Sequence, residues 1–182
     1  MKKLCMILSM ALIFCFMVGC QDKEAMAELE KFKAQAEVEK QNKEVVLKFY
    51  EELDNGNIEN VMELFAPNFL WYTPSNSPTP MSKEESHEFL KMIYEAFPKW
   101  QHKMEEIIAV GDKVITRAID YTTHEGEFQG IPATGNKVEF GVIVIYSIDK
   151  GKIVEMREEG DMLGFFQQLG MELKPKEEGE EK

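Results

Sequence analysis

The sequence has 182 residues, of which 44% are hydrophobic and 30% charged, and its formal net charge is −12 at pH 7. This length and balance are typical of one folded domain, and they exclude a disordered chain or a bundle of membrane helices. So acidic a chain repels phosphate backbones, and we expect no nucleic-acid partner.

The N-terminal segment differs from the rest of the chain. Two lysines precede an uncharged apolar run, Leu4 to Val18, that is too short for a comfortable membrane-spanning helix. The run ends in Met17 to Cys20, which resembles the lipobox of bacterial lipoproteins. The resemblance implies a signal peptide at 1–19, a lipid on Cys20 and a place in the cell envelope. An ordinary signal peptide or a retained membrane helix are the alternatives.

Cysteine usage fits export. The chain has 3 Cys, at positions 5, 15 and 20, and two of them lie in the predicted signal peptide. With Cys20 lipidated, the mature domain has no free thiol, so it depends on a packed core rather than on disulfides. Zinc–thiolate sites and cysteine nucleophiles are excluded at the same time.

Residues 20–41 are rich in Glu, Lys, Ala and Gln and offer little apolar surface. This composition predicts a charged helical tether between membrane and domain. Leu29, Phe32 and Ala36 recur at helical spacing, which leaves open a helix lightly packed on the domain. At the other end of the chain, residues 174–182 form a charged tail.

The domain, at 42–173, begins with three predicted helices. Apolar residues recur at helical spacing within 45–53, 58–65 and 89–97. Ser82 and Glu85 form a capping box at the start of the third helix. A short strand at 69–72 and a proline-rich loop precede it.

After Pro98 the apolar period changes to that of strands. Alternation predicts strands within 100–110, 113–123, 137–148 and 152–159, joined largely by tight turns. Helices first and antiparallel strands second indicate an α+β fold with helices on one face of the sheet. Residues 142–146 are apolar on both faces, so we expect a homodimer through the other face, unless the C-terminal segment covers it.

The loop 123–135 reads THEGEFQGIPATG and closely resembles the "TH.GEF.GIPPTG" loop of the SnoaL-like polyketide cyclase or ester cyclase family, within the nuclear transport factor two-like superfamily. Residues 96–98, 111–114, 151–155 and 161–170 agree in order and spacing. The resemblance implies a cone-shaped, curved antiparallel sheet wrapped around three N-terminal helices, with an apolar pocket inside.

The resemblance also implies chemistry. Polyketide cyclases of this family use a carboxylate as general base, without metal or organic cofactor, in an intramolecular aldol condensation. Asp161 best matches that base, although it could equally cap a helix at 162–169. The histidine of characterised cyclases on the penultimate strand is absent from 138–148, and a frequent His-Trp pair is replaced by Met156 and Arg157.

Other candidate site residues follow from their types and positions. His124 at a strand end and His102 beside Trp100 are candidate catalytic groups, and each could equally be a satisfied structural histidine. The sequence predicts no metal site, because its histidines are far apart. Candidate pocket-lining residues are Trp71, Tyr72, Trp100, Arg117, Tyr121 and Phe128. Asp120 and Tyr121 must face opposite sides of their strand, so one of them at most faces the pocket.

Three functions remain open: a cofactor-free cyclase acting on a hydrophobic small molecule, a lipoprotein that binds such a molecule without chemistry, and a dimeric interaction domain at the membrane surface.

Overall fold

The computed structural model describes residues 2–174, with side chains from residue 23 onward. The lipidation of Cys20, the side chains of the signal peptide and the tail at 175–182 lie outside the described residues. The elements in chain order are α1 (Lys2–Asp54), α2 (Ile58–Leu64), β1 (Phe65–Tyr72), β2 (Met81–Ser82), α3 (Lys83–Ala96), β3 (Gln101–Val110), β4 (Lys113–Thr123), β5 (Lys137–Asp149), β6 (Lys152–Gly160) and α4 (Met162–Gln168).

Residue contacts divide the chain into two compact units, Met1–Val38 and Glu39–Lys182. The first unit is helical, and within it Leu29 and Phe32 are exposed, at 45% and 61%. Among the residues whose side chains are described, no helix is long and apolar enough to cross a membrane.

The second unit contains a curved sheet of six strands in the order β2-β1-β6-β5-β4-β3. The predicted α+β fold, with N-terminal helices and a curved sheet, is confirmed. One pairing departs from the predicted antiparallel pattern: β1 runs parallel to β6, so the sheet is mixed. The reason is connectivity, because α3 and the strands β2 to β5 separate the two strands in sequence, and a parallel pair needs such a long connection.

Local signals explain the position of α3 and of the loop that follows β4. The Ser82 hydroxyl accepts from the backbone N–H of Glu85, and the Glu85 carboxylate accepts from the backbone N–H of Ser82, as predicted. At the other end of the helix, the carbonyl of Ala96 accepts from the backbone N–H groups of Glu125 and Gly126. A Cβ on Gly126 would lie 2.5 Å from the carbonyl oxygen of Glu95, so only glycine fits this close approach.

Alternation along β4 and β5 decides which side chains face the helices. Val114, Asp120 and Val144 are buried on the inner face, whereas Ile115 and Ile145 are exposed on the outer face. The C-terminal helix α4 packs on the inner side, where the ring of Phe165 lies 5.1 Å from that of Phe140. The outer apolar face is therefore not covered by α4.

Candidate functional site

A cavity of about 700 Å³ lies between the helices and the inner face of the sheet. Its walls are mainly aromatic and aliphatic and include Phe49, Trp71, Phe89, Trp100, Phe140 and Phe165. The loop after β1, the loop after β4 and the start of α4 also contribute lining residues. A concave apolar site with a few polar groups is typical of a small-molecule pocket.

Glu158, on β6, is one of these polar groups. Its Oε2 accepts a hydrogen bond from the indole Nε1 of Trp71 at 3.1 Å. The pKa of Glu158 is raised from its usual value of 4.5 to about 7, mainly by burial and next by the nearby carboxylate of Asp120, while the Trp71 hydrogen bond lowers it. Glu158 keeps partial accessibility because it borders the cavity.

Asp120 lines the same cavity from β4 and is only 5% exposed. Its Oδ2 accepts from the Trp100 Nε1 at 3.0 Å and lies 3.7 Å from the His102 Nε2, whereas its Oδ1 has no hydrogen-bond partner. Burial raises the pKa of Asp120, while His102 and the Trp100 hydrogen bond oppose the rise. The cavity therefore holds a second carboxyl group with one oxygen unpaired.

His102 is held from behind by Asp54, at the end of α1. The Asp54 Oδ1 lies 2.6 Å from the His102 Nδ1 and also accepts from the His102 backbone N–H at 3.0 Å. This contact favours a proton on Nδ1 and directs Nε2 towards Asp120. A protonated His102 would place one positive charge among three carboxyl groups.

A second polar chain lies deeper in the cavity wall. The Tyr146 hydroxyl donates to the Tyr50 hydroxyl at 2.8 Å, and Tyr50 shares a hydrogen bond of 2.9 Å with the Thr116 Oγ1. Burial raises the pKa of both tyrosines, so they remain protonated donors. The inner face thus places hydroxyl, imidazole and carboxyl groups within one apolar enclosure.

Among the described residues, no group of three or more His, Cys, Asp or Glu side chains is arranged to hold a metal ion. In comparisons with known proteins, the family model for the SnoaL-like polyketide cyclase matches residues 44–169. The chain belongs to the SnoaL-like polyketide cyclase family. Comparison with curated proteins returned no match.

Solved structures share the fold of this SnoaL-like domain. IdmH from Streptomyces antibioticus, a proposed polyketide cyclase, is 27% identical with a TM-score of 0.63, over 71% of this chain and 99% of its own. AclR from Streptomyces galilaeus, a proposed hydroxylase, is 23% identical with a TM-score of 0.67, over 72% of this chain and 97% of its own. An LEH-like epoxide hydrolase from M. tuberculosis is 18% identical with a TM-score of 0.58, over 71% and 90%. The last two likenesses concern the fold alone.

The SnoaL-like cavity brings together some of the site residues predicted from the sequence. Those that line it are Trp71, Trp100, His102 and Phe128. Those outside its lining are Tyr72, Arg117, Tyr121, His124 and Asp161.

Asp161, which best matched the family's base in the sequence, does not line the cavity. It is exposed and caps α4, since its Oδ1 accepts from the backbone N–H of Gly164 at 2.9 Å. Its neighbours Gly160 and Met162 line the cavity, but Asp161 itself does not. Its role in the structure is the alternative considered from the sequence, a helix cap.

His124 is fully buried outside the cavity lining. Its ring stacks on Phe97 at 5.0 Å, and its Nδ1 lies 3.1 Å from the Thr134 Oγ1, while Nε2 has no partner. These contacts tie the loop between β4 and β5 to the end of α3. His124 therefore has a structural role at this position.

Strand alternation places the other three residues elsewhere. Arg117 and Tyr121 share the outer face of β4, where the Arg117 Nη2 contacts the Glu106 Oε1 at 3.1 Å. The Arg157 guanidinium lies 3.9 Å from the centre of the Tyr72 ring, in a cation–π contact. Because Tyr121 faces outward, Asp120 faces the cavity, which settles the choice that alternation left open.

Sequence reasoning missed Glu158 and Asp54. Glu158 has the same parity as the buried Met156, so alternation from Met156 alone would place it inside. The pairing of β5 with β6 has a register shift between Ser147 and Ile148, and the buried Ile153 is therefore odd-numbered whereas Met156 and Glu158 are even-numbered. This change obscured the alternation that would have placed Glu158 inside. For Asp54, at a helix end, the sequence contains no comparable signal.

Proposed function

We propose that this SnoaL-like protein binds a hydrophobic small molecule in its cavity and removes a proton from a carbon next to a carbonyl group, with Glu158 as general base. The observation that carries the proposal is a carboxyl group with a pKa of about 7 in an aromatic enclosure. Such a group is partly deprotonated at neutral pH and still basic enough to accept a proton.

Neighbouring groups support this role. The carboxyl group of Asp120 raises the pKa of Glu158 and so strengthens it as a base. The enolate formed by proton removal needs a donor for its oxygen. The candidate is the His102 Nε2 in the doubly protonated imidazolium, because a ring with its single proton on Nδ1, facing Asp54, could only accept there. The described side chains thus include a candidate for each group that this chemistry requires.

Deuterium exchange tests the base directly. We expect the full-length protein to accelerate deuterium incorporation at C1 of 2-tetralone in D₂O, measured by NMR, with a rate that rises as pH increases through about 7 because Glu158 must be deprotonated. Glu158→Gln should remove the acceleration, by roughly 10²-fold or more. Glu139→Gln, an exposed change on β5, is the matched control.

Binding without chemistry is the second candidate. Strand β5 lacks the histidine that the family resemblance leads one to expect, and this observation favours a ligand-binding protein. The two candidates separate in the same experiment. Calorimetry would show whether 2-tetralone binds, and a bound ketone with no accelerated exchange would contradict the base role while leaving ligand binding in place.

We further propose that the protein is anchored in the cell envelope by a lipid on Cys20. The support is the segment Met17 to Cys20, which follows a charged and then apolar N-terminal stretch. Intact-mass spectrometry of the protein from membranes should show a diacylglycerol adduct at residue 20. Cys20→Ala should lose the adduct.

A homodimer is proposed through the outer face of the sheet. Ile108, Ile115 and Ile145 lie opposite one another on three neighbouring strands and are 51%, 37% and 41% exposed. A continuous apolar row of this kind favours burial against a second copy. Sedimentation of the full-length protein should give a dimer mass, and Ile115→Asp with Ile145→Asp should give a monomer of unchanged fold.

A further inference from the structure

We propose that the ligand of the cavity is a hydrophobic cation, an organic amine whose ammonium group lies beside Asp120 while its apolar body contacts the aromatic walls. The inference rests on the proposed function, because it specifies the class of substrate for the same pocket.

The charge balance of the lining favours a cation. Asp120, Glu158 and Glu159 are the acidic residues among those that line the cavity, and no Lys or Arg is among them. His102 is the one lining side chain that could become positive, and it is already paired with Asp54. Even with His102 protonated, the acids outnumber it, so an anionic ligand would be repelled.

The carboxyl group of Asp120, which lines the cavity, marks where the ammonium group would bind. The Oδ1 of Asp120 is buried and has no hydrogen-bond partner, while Oδ2 already accepts from Trp100. Leaving a buried carboxylate oxygen unpaired is unfavourable, and an N–H donor from a ligand would remove that penalty. A neutral hydroxyl could donate one hydrogen bond here, but an ammonium group would also neutralise charge.

The walls suit the apolar part of such a ligand. The indoles of Trp71 and Trp100 donate to the two carboxyl groups, so aromatic rings flank both acids. Aromatic faces attract organic cations, and their area suits an apolar body. The cavity thus combines an aromatic enclosure with excess negative charge, which is the combination that recognises alkylammonium groups.

The two acids then take different parts. Asp120 holds the ammonium group, and Glu158 remains available to accept a proton from carbon. A bound positive charge lowers the pKa of Glu158, so a larger fraction of this carboxyl group is ionised while its basicity falls.

Matched ligands test the inference. Calorimetry on the full-length protein in detergent would compare 2-(aminomethyl)naphthalene, 2-naphthalenemethanol and 2-naphthoate, which share a ring system and differ in charge. The double variant Asp120→Asn with Glu158→Gln, titrated in the same detergent, corrects for partition into micelles. We expect the amine to bind about tenfold or more tightly than the alcohol, and the carboxylate to bind most weakly.

The preference should fall to about equal affinity for amine and alcohol in Asp120→Asn, and Glu139→Gln should keep it. Circular dichroism checks that each variant is folded. If Asp120→Asn does not fold, Glu158→Gln takes its place in the comparison of amine and alcohol. Equal binding of amine and alcohol by the parent protein, tighter binding of the carboxylate, or no binding by any of the three overturns the inference.

The inference and the proposed function can fail separately. If the protein exchanges the protons of 2-tetralone but does not prefer the amine, the proposal of a cationic ligand is wrong and the proposal of Glu158 as base stands. If the protein prefers the amine but does not accelerate exchange, the proposal of Glu158 as base is wrong and the proposed ligand class stands.

Discussion

The two faces of one sheet show opposite departures from the usual distribution of polar and apolar residues. On the inner face, Asp120, Thr116 and Thr122 are buried on β4, and the half-buried Glu158 lines the cavity from β6. On the outer face, Ile115 and the neighbouring isoleucines are exposed. Ordinary folding favours the reverse, since burial of polar groups is costly and exposure of apolar groups gains nothing.

This difference indicates that the two faces meet different requirements. The inner face loses stability to keep carboxyl groups in an apolar cavity, which is how a site obtains groups with raised pKa values. The outer face keeps apolar area for contact with another surface. Substitutions on the two faces should therefore have different consequences, and the following variants test that difference.

Adjacent residues on β4 give the largest expected contrast. Val114 is fully buried, does not line the cavity and belongs to the core, whereas Ile115 is 37% exposed. Val114→Asp should lower the free energy of unfolding by about 4 kcal/mol, because it buries an unpaired carboxyl group. Urea denaturation of the full-length protein measures the change.

Ile115→Asp is the matched control on the outer face. We expect a loss of about 1 kcal/mol or less, measured at a concentration below dimer formation, because aspartate there remains hydrated. Equal losses for the two variants would show that the faces are not distinguished by burial.

The second comparison concerns the half-buried carboxyl group of Glu158. The pKa of Glu158 rises from its usual value of 4.5 to about 7 in the folded protein, so folding favours its protonated form. Its contribution to stability is therefore fully present below pH 4.5 and is lost as pH rises through about 7. The loss is up to about 3 kcal/mol, less what partial hydration through the cavity removes.

Glu158→Gln should avoid this loss. We expect the variant to match the parent protein at pH 4.5 and to exceed it by up to about 3 kcal/mol at pH 8, in urea denaturation at both values. Glu139→Gln, on the outer face, should show no such dependence. A stability difference that does not change between the two pH values would show that the pKa of Glu158 is not raised in the folded protein.

Much of the fold could be predicted because its signals are local. The capping box at Ser82, the proline-rich loop and the alternation along β4 and most of β5 each follow from short-range chemistry. The parallel pairing of β1 with β6 could not be predicted, since it depends on a contact between strands far apart in sequence. Alternation placed Asp120 and Tyr121 on opposite faces, but only the fold decides which face is inner.

The site was harder to predict than the fold. Trp71, Trp100 and His102 were expected in the pocket because of their residue types, and they line it. Glu158 was missed because the register shift in the β5–β6 hairpin interrupts its parity. Asp161 was singled out because of its position in the family pattern, although its surroundings, not its position, determine whether a carboxyl group can act as a base.

A smaller effect is expected from the hydroxyl chain of the inner face. Tyr146→Phe removes the donor to the Tyr50 hydroxyl and should lower the free energy of unfolding by about 1 to 2 kcal/mol, because a buried acceptor loses its partner. Urea denaturation measures the loss. Tyr121→Phe, on the partly exposed outer face, should change stability by less than about 0.5 kcal/mol. A loss for Tyr121→Phe as large as that for Tyr146→Phe would mean that the inner hydroxyls have no special role.

The smallest effect should come from substitution of Asp161. This residue matches the family's base by its position in the sequence, but it does not line the cavity. Asp161→Ala removes the side-chain oxygen that accepts from the Gly164 backbone N–H, so the loss of a helix cap should cost about 1 kcal/mol. Asp161→Asn keeps a capping oxygen and should cost less. Both variants should bind 2-tetralone and exchange its C1 protons like the parent protein, because the carboxyl group lies outside the cavity lining. A loss of exchange in Asp161→Asn at unchanged stability would return the role of base to Asp161 and remove it from Glu158.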